Sequence, residues 1–145
     1  MPHDFVRFPE LTNGQMAVYY FDSPHKQILE SFCCLVTKVH DGDTIRVKWS
    51  ERDFDFPVRF INIAAPELKD AGGKASQSWL ESQLLGKEID IGINPGLRVE
   101  KWGRLLGYIM LDGMDMGNES NLAGHSVPWE QRNNGLVKDP IKELN

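Results

Sequence analysis

The alternation of apolar and polar positions becomes regular at Phe32. CCLVTKV, residues 33–39, is rich in β-formers. TIRVKW, residues 44–49, alternates strictly, with Ile45, Val47 and Trp49 on one face and Arg46 and Lys48 on the other. The HDGD between them carries an Asp–Gly pair, which is a hairpin signal. SERDFDF is a polar interruption with a turn at 50–53. VRFINIA, residues 58–64, then reads as a third strand that stops before Pro66, since proline has no N–H for a ladder. At Gly72–Gly73 the period changes: Ala75, Trp79, Leu80, Leu84 and Leu85 form the stripe of a short helix, with Gly86 as its C-terminal cap. EIDIGI, residues 88–93, and LLGYIML, residues 105–111, return to strand, joined by the basic loop NPGLRVEKWGR. Asp112–Gly113 is a turn, and GNESNLAG, residues 117–124, a short helical stretch ending at Gly124. Before Phe32 the pattern is weaker: MAVYYF, residues 16–21, reads as a short strand between turn signals at Asn13–Gly14 and Ser23–Pro24.

Three strands, a helix, two strands and a short helix suit an α+β fold, a small five-stranded OB-type β-barrel with one main helix and short helical segments. An open α+β sheet is the alternative. The chain of 145 residues is long enough for one domain. It divides into an N-terminal extension (1–30) that covers the barrel or binds a protein partner, the barrel (31–129) and a polar tail (130–145). A formal net charge of −5 argues against broad nonspecific attraction to nucleic acid, but leaves room for a local basic site. No apolar run reaches the ~18 residues of a membrane span. MPHDFVRFPELTNGQ has no apolar core of a secretory leader, so Met1 reads as the native start and the expected location is intracellular. Cys33 and Cys34 are adjacent, with no disulfide framework or metal-ligand spacing, and read as small core residues.

Asp41 and Asp43 flank Gly42. One reading is simple hairpin chemistry; the other is a hard-cation site, for which two aspartates alone supply too few oxygens. Arg59 and Arg104 read singly as snorkelling or ion-paired arginines. With Glu67 they form a set suited to phosphoryl chemistry. Two guanidiniums can clamp the oxygens of a five-coordinate phosphodiester, and a carboxylate can orient and deprotonate the attacking water. Trp102 is divided between stacking and packing, whereas Tyr108, inside a strand, is expected in the core. His40 is expected at a turn or on the surface, with a metal role as the alternative.

The order of V-H-D-G-D-T-I-R-V (39–47), V-R-F-I-N-I-A-A-P-E (58–67), K-W-G-R-L-L-G-Y-I (101–109) and a following D-G resembles the staphylococcal nuclease (thermonuclease-like) family across about residues 35–127. The resemblance implies an OB-type barrel and Ca²⁺-dependent hydrolysis of DNA and RNA phosphodiesters. It implies Asp43 as a calcium-binding aspartate and Asp41 as its supporting acidic neighbour. Arg59 and Arg104 become the two catalytic arginines, and Glu67 the glutamate that activates water. Lys101 and Trp102 stand where the family holds the nucleotide's terminal phosphate and base, and the backbone carbonyl of Ala65 where it supplies a further metal ligand. One position departs: Ala64 stands where the family carries a second aspartate ligand. Asn62, two residues earlier, shares its face if the strand is regular. The loop after Glu67 is short, the basic surface is absent, and the C-terminal helix is expected to be missing.

The expectation is therefore a metal-assisted nuclease acting on DNA or RNA, using Ca²⁺ (or Mg²⁺ or Mn²⁺) bound weakly because Ala64 removes an anionic ligand. The alternatives are a catalytically impaired barrel that binds nucleic acid or a protein partner, and a scaffold for assembly.

Overall fold

The structure, a computed structural model, describes residues 2–101 and 103–132. Its strands are β1 (Phe32–Asp41), β2 (Thr44–Lys48), β3 (Phe56–Phe60), β4 (Ile63–Ala64), β5 (Glu88–Gly92), β6 (Leu105–Leu111), β7 (Met114–Asp115) and β8 (Val127–Pro128). Its helices are α1 (Asn13–Tyr19), α2 (Gly73–Leu84) and α3 (Met116–Leu122). The long β1 pairs antiparallel with β2 on one side and β5 on the other. The order β3-β2-β1-β5-β6 closes on itself where β3 and β6 run parallel, Val58 opposite Leu105. This closed five-stranded barrel with three helices is the small α+β OB-type architecture expected from the pattern. Its inward positions are filled by Ile45, Val47, Val58, Phe60, Ile91 and Ile109, all fully buried, and α2 adds Leu80 and Leu84.

Several expectations need correction. MAVYYF is not a strand. Thr12 and Gln15 form a reciprocal capping box, Asn13–Gly14 opens α1, and a 3₁₀ turn follows over Tyr20–Asp22. That local capping outweighs the β-propensity of the aromatic run. In α2 the buried face is Gly73, Ser76, Leu80 and Leu84, whereas Ala75 and Leu85 are exposed. Tyr108 points outward rather than into the core, and Cys33 is exposed, its thiol donating to Asp90 (2.8 Å), while Cys34 is buried.

VRFINIA is not one strand. β3 starts earlier and ends at Phe60, and after Ile61–Asn62 the chain pairs with β8, Ala64 opposite Val127. Arg59 explains how the break is tolerated: its Nη1 donates to the carbonyls of Phe60 (2.8 Å) and Ile63 (3.5 Å). Backbone acceptors that lose a ladder partner thus gain a charged donor.

The segment before β1 lies against the barrel. Arg52, from the β2–β3 loop, and Arg98, from the β5–β6 loop, both contact the buried carboxylate of Glu10. Arg98 also donates to the carbonyls of Ile28 (2.7 Å) and Leu11 (3.1 Å). The Arg52 guanidinium lies 4.5 Å from the Phe56 ring centroid. None of the described helices is long and apolar enough to cross a membrane.

Candidate functional site

The site is built on the β1–β2 turn. A Cβ on Gly42 would come 2.0 Å from Ser76 Oγ of α2 and 2.7 Å from the Ala65 Cβ, so only glycine fits between them. This wedge fixes Asp41 and Asp43 at one end of the barrel. Asp43 is buried, and both its oxygens accept hydrogen bonds. Its Oδ2 accepts from Arg59 Nη2 (3.3 Å) and from the Ala65 N–H (3.1 Å). Its Oδ1 accepts from the Thr44 hydroxyl (3.2 Å), and Thr44 Oγ1 in turn accepts from Arg104 Nη1 (3.3 Å). The Asp43 N–H donates to Asp41 Oδ1 (3.1 Å). Asp41, Asp43, Arg59 and Arg104 therefore belong to one network, assembled from β1, the β1–β2 turn, β3 and the residue preceding β6.

The electrostatics follow from this crowding. Burial, together with the negative charge of the neighbouring Asp43, pushes the Asp41 carboxyl up to about 7. Around Arg104, burial works against the charged form, but the hydrogen bond and charge of Glu100 outweigh it and the pKa is raised. Arg104 Nε donates to Glu100, one turn earlier in a loop closed by the Gly103 N–H to the Glu100 carbonyl (2.9 Å).

Other expected residues stand apart. Glu67 is exposed just past Pro66, and its side chain makes no hydrogen bond or ion pair with the described residues. Lys101 is exposed on the same loop as Arg104, and Trp102 lies outside the described residues. The polar tail and any C-terminal helix also fall outside them beyond residue 132. Ala64 is buried and packs against Val127. Asn62 does not replace the missing carboxylate: its Nδ2 donates to both oxygens of Asp115 (3.2 Å each), the residue that caps α3. The Asn62 Oδ1 lies against Gly117 of α3, where an added Cβ would come within 2.6 Å of it, so the whole amide faces α3.

Three participants were not anticipated. Thr44 bridges the two arginines' networks. Glu100 was readable only as an acid four residues before Arg104. The Arg59 guanidinium lies 4.8 Å from the Trp129 ring centroid, and the Trp129 backbone N–H donates to the Asn62 carbonyl (2.9 Å). No local pattern announces a contact across that many residues.

Asp41 and Asp43 are acidic donors that this end of the barrel offers to a divalent cation. Among the described residues no group of three or more His, Cys, Asp or Glu side chains gathers. Asp41 and Asp43, with Ala65 packed on the same turn, fall short of the six to eight oxygens Ca²⁺ takes. They fit a cation held by one or two carboxylates and completed by water and substrate oxygens.

No protein-family model matches the chain. Two proteins named "Uncharacterized endonuclease", from Escherichia coli and Escherichia coli O157:H7, are each 33% identical to it over 107 residues, 73% of this chain. The match spans 64% of those relatives' own length. An uncharacterized Bacillus anthracis protein is 27% identical over 105 residues, covering 68% of this chain and 48% of its own.

Proposed function

We propose that the protein is a phosphodiesterase of the thermonuclease type that hydrolyses DNA or RNA at the Asp43–Arg59–Arg104 end of the barrel. The observation that carries this reading is the convergence of two guanidiniums on the Asp43–Thr44 pair. The similarity to proteins named endonucleases supports it.

In this reading Arg59 and Arg104 bind the phosphate through charge-assisted hydrogen bonds that strengthen as charge gathers on the equatorial oxygens. Asp43 fixes the Arg59 guanidinium in plane, Trp129 supports its face, and Glu100 orients Arg104 from the opposite side. Glu67, exposed on the loop that follows the Ala65–Asp43 contact, would orient and deprotonate the attacking water. Asp43 and the Ala65 carbonyl, with Asp41 as the supporting acidic neighbour, would hold Ca²⁺, Mg²⁺ or Mn²⁺, which would supply charge stabilisation at the phosphate. Lys101 and Trp102 contact the terminal phosphate and base of the nucleotide on one side of the clamped phosphate. Because Ala64 offers a methyl group where the resemblance calls for a carboxylate, the cation would be bound weakly. That same substitution favours a second reading, a barrel that binds nucleic acid without cutting it.

The two readings separate when the purified protein is incubated with single- and double-stranded DNA and RNA in Ca²⁺, Mg²⁺ or Mn²⁺. The first predicts cleavage with at least one metal, abolished in Glu67→Gln. Binding without cleavage above the Glu67→Gln background in every metal supports the second and contradicts the first.

A further inference from the structure

Resting on that phosphodiesterase reading, we propose that the segment preceding β1 completes the substrate site: the cleft between residues 7–10 and the barrel binds the nucleotide that flanks the clamped phosphate.

The segment is tied to the barrel by specific contacts. Besides the ion pairs of Glu10 with Arg52 and Arg98, the Leu11 N–H donates to Gln27 Oε1 (2.7 Å), and Gln27 Nε2 donates to the Pro9 carbonyl (2.8 Å). These contacts hold the backbone on both sides of Glu10, and Phe8 with it. Phe8 then meets the loop that carries Arg104. A Cβ on Gly103 would come 2.8 Å from Phe8 Cδ1, and Gly103 has φ of +90°. Glycine therefore allows both the left-handed backbone and the close approach.

Between these parts lies an open cleft of about 360 Å³, within the roughly 300–1,000 Å³ typical of ligand pockets. Phe8, Pro9, Pro57 and Leu105 give it apolar walls, and Arg7 and Arg104 are its cationic members. Glu10 also lines it, but both its oxygens are engaged by buried arginines and by the Ile28 N–H (3.2 Å). Arg104 joins the two sites, since it lines the cleft while its Nη1 reaches Thr44 beside Asp43. Arg7 is exposed, its guanidinium 5.2 Å from the Phe8 ring centroid. Apolar walls, an aromatic ring and a guanidinium beyond the clamp match one nucleotide: base and sugar against the walls, its outer phosphate on Arg7. The chain is acidic overall, so this pairing reflects local rather than net charge.

The full chain is titrated in EDTA, where cleavage cannot interfere, with a 5′-phosphorylated deoxyadenosine dinucleotide and separately with inorganic phosphate. The quantity read is the ratio of the two affinities. Phe8→Ala should lower that ratio roughly tenfold, as loss of one stacked base does. Arg7→Gln, at an exposed position, should lower it about fivefold. Phe8→Leu, which keeps apolar bulk against Gly103, covers the case in which the alanine variant fails to fold, and should also lower the ratio. An unchanged ratio in Phe8→Leu and Arg7→Gln overturns the proposal, as does a wild-type chain with no preference for the dinucleotide. Cleavage is scored separately. A chain that cuts DNA with an unaltered ratio loses this cleft alone; one that shows the Phe8-dependent preference without ever cutting keeps the cleft and loses the nuclease reading.

Discussion

Two arginine–carboxylate clusters hold this protein together at different depths. In one, Arg52 and Arg98 meet Glu10 with side chains 0%, 3% and 2% exposed. In the other, Arg59 meets Asp43 with 13% and 11% exposure, and Arg104 meets Glu100 with 37% and 18%. The residue types are the same, but the surroundings assign different work. The buried cluster spends its donors on backbone carbonyls and aromatic faces, and joins the N-terminal segment to two barrel loops. The outer cluster leaves charge accessible beside a crowded carboxylate pair. An arginine becomes a candidate for chemistry through the access its neighbours leave it.

The comparison can be broken most forcefully at Glu10. Glu10→Ala leaves two buried guanidiniums without their counter-ion and should cost about 3–5 kcal/mol of stability, measured by urea denaturation. A loss near that of an exposed pair would show that the buried cluster is not the brace described. Next in size is Ala64→Asp. A carboxylate against Val127 should destabilise the metal-free protein by about 2 kcal/mol, and millimolar Ca²⁺ should recover much of that in a thermal melt. No recovery would mean that position 64 does not face the cation.

Asp41 gives an effect that is spread over pH. Its carboxyl is raised from 3.8 to about 7 in the folded protein, so between those values the folded state holds a proton that the unfolded chain has released. Its contribution to stability is present at the acid end of that window and is lost as pH rises through it, with a slope of at most about 1.4 kcal/mol per pH unit. Asp41→Asn should flatten that part of the stability–pH curve; an unchanged curve would contradict the crowded-carboxylate account. Smallest is Trp129→Ala, which removes the ring under Arg59 and should cost about 1 kcal/mol of stability, with a larger relative loss in phosphate binding. Equal loss in Arg46→Ala, outside the cluster, would remove the distinction.

Much of the barrel was legible because its strands obey strict alternation. Ile45 and Val47 point inward as their spacing requires, and the Asp–Gly turn falls where expected. The N-terminal helix was not, since capping by Thr12 and Gln15 decides it against the aromatic run. The break after Phe60 was not, because the side chain that stabilises it is Arg59 itself. Asp41, Asp43, Arg59 and Arg104 could be singled out from motif order. Glu10, Arg52 and Arg98 could not: each looks like an ordinary surface charge until the fold brings three distant segments together. The aromatic run Trp49, Phe54 and Phe56 around Arg52 was the one signal available, since all three rings lie near its guanidinium.

The most direct measurement compares wild type and Arg104→Ala, at matched concentration, for stability and for cleavage of single-stranded DNA under the best metal condition. Arg104 is the most exposed guanidinium of the outer cluster, so its removal should change unfolding free energy by about 1 kcal/mol or less while lowering cleavage by about a hundredfold or more. Cleavage that survives the substitution, or that falls only in proportion to lost fold, would contradict the assignment of this cluster as the phosphate clamp.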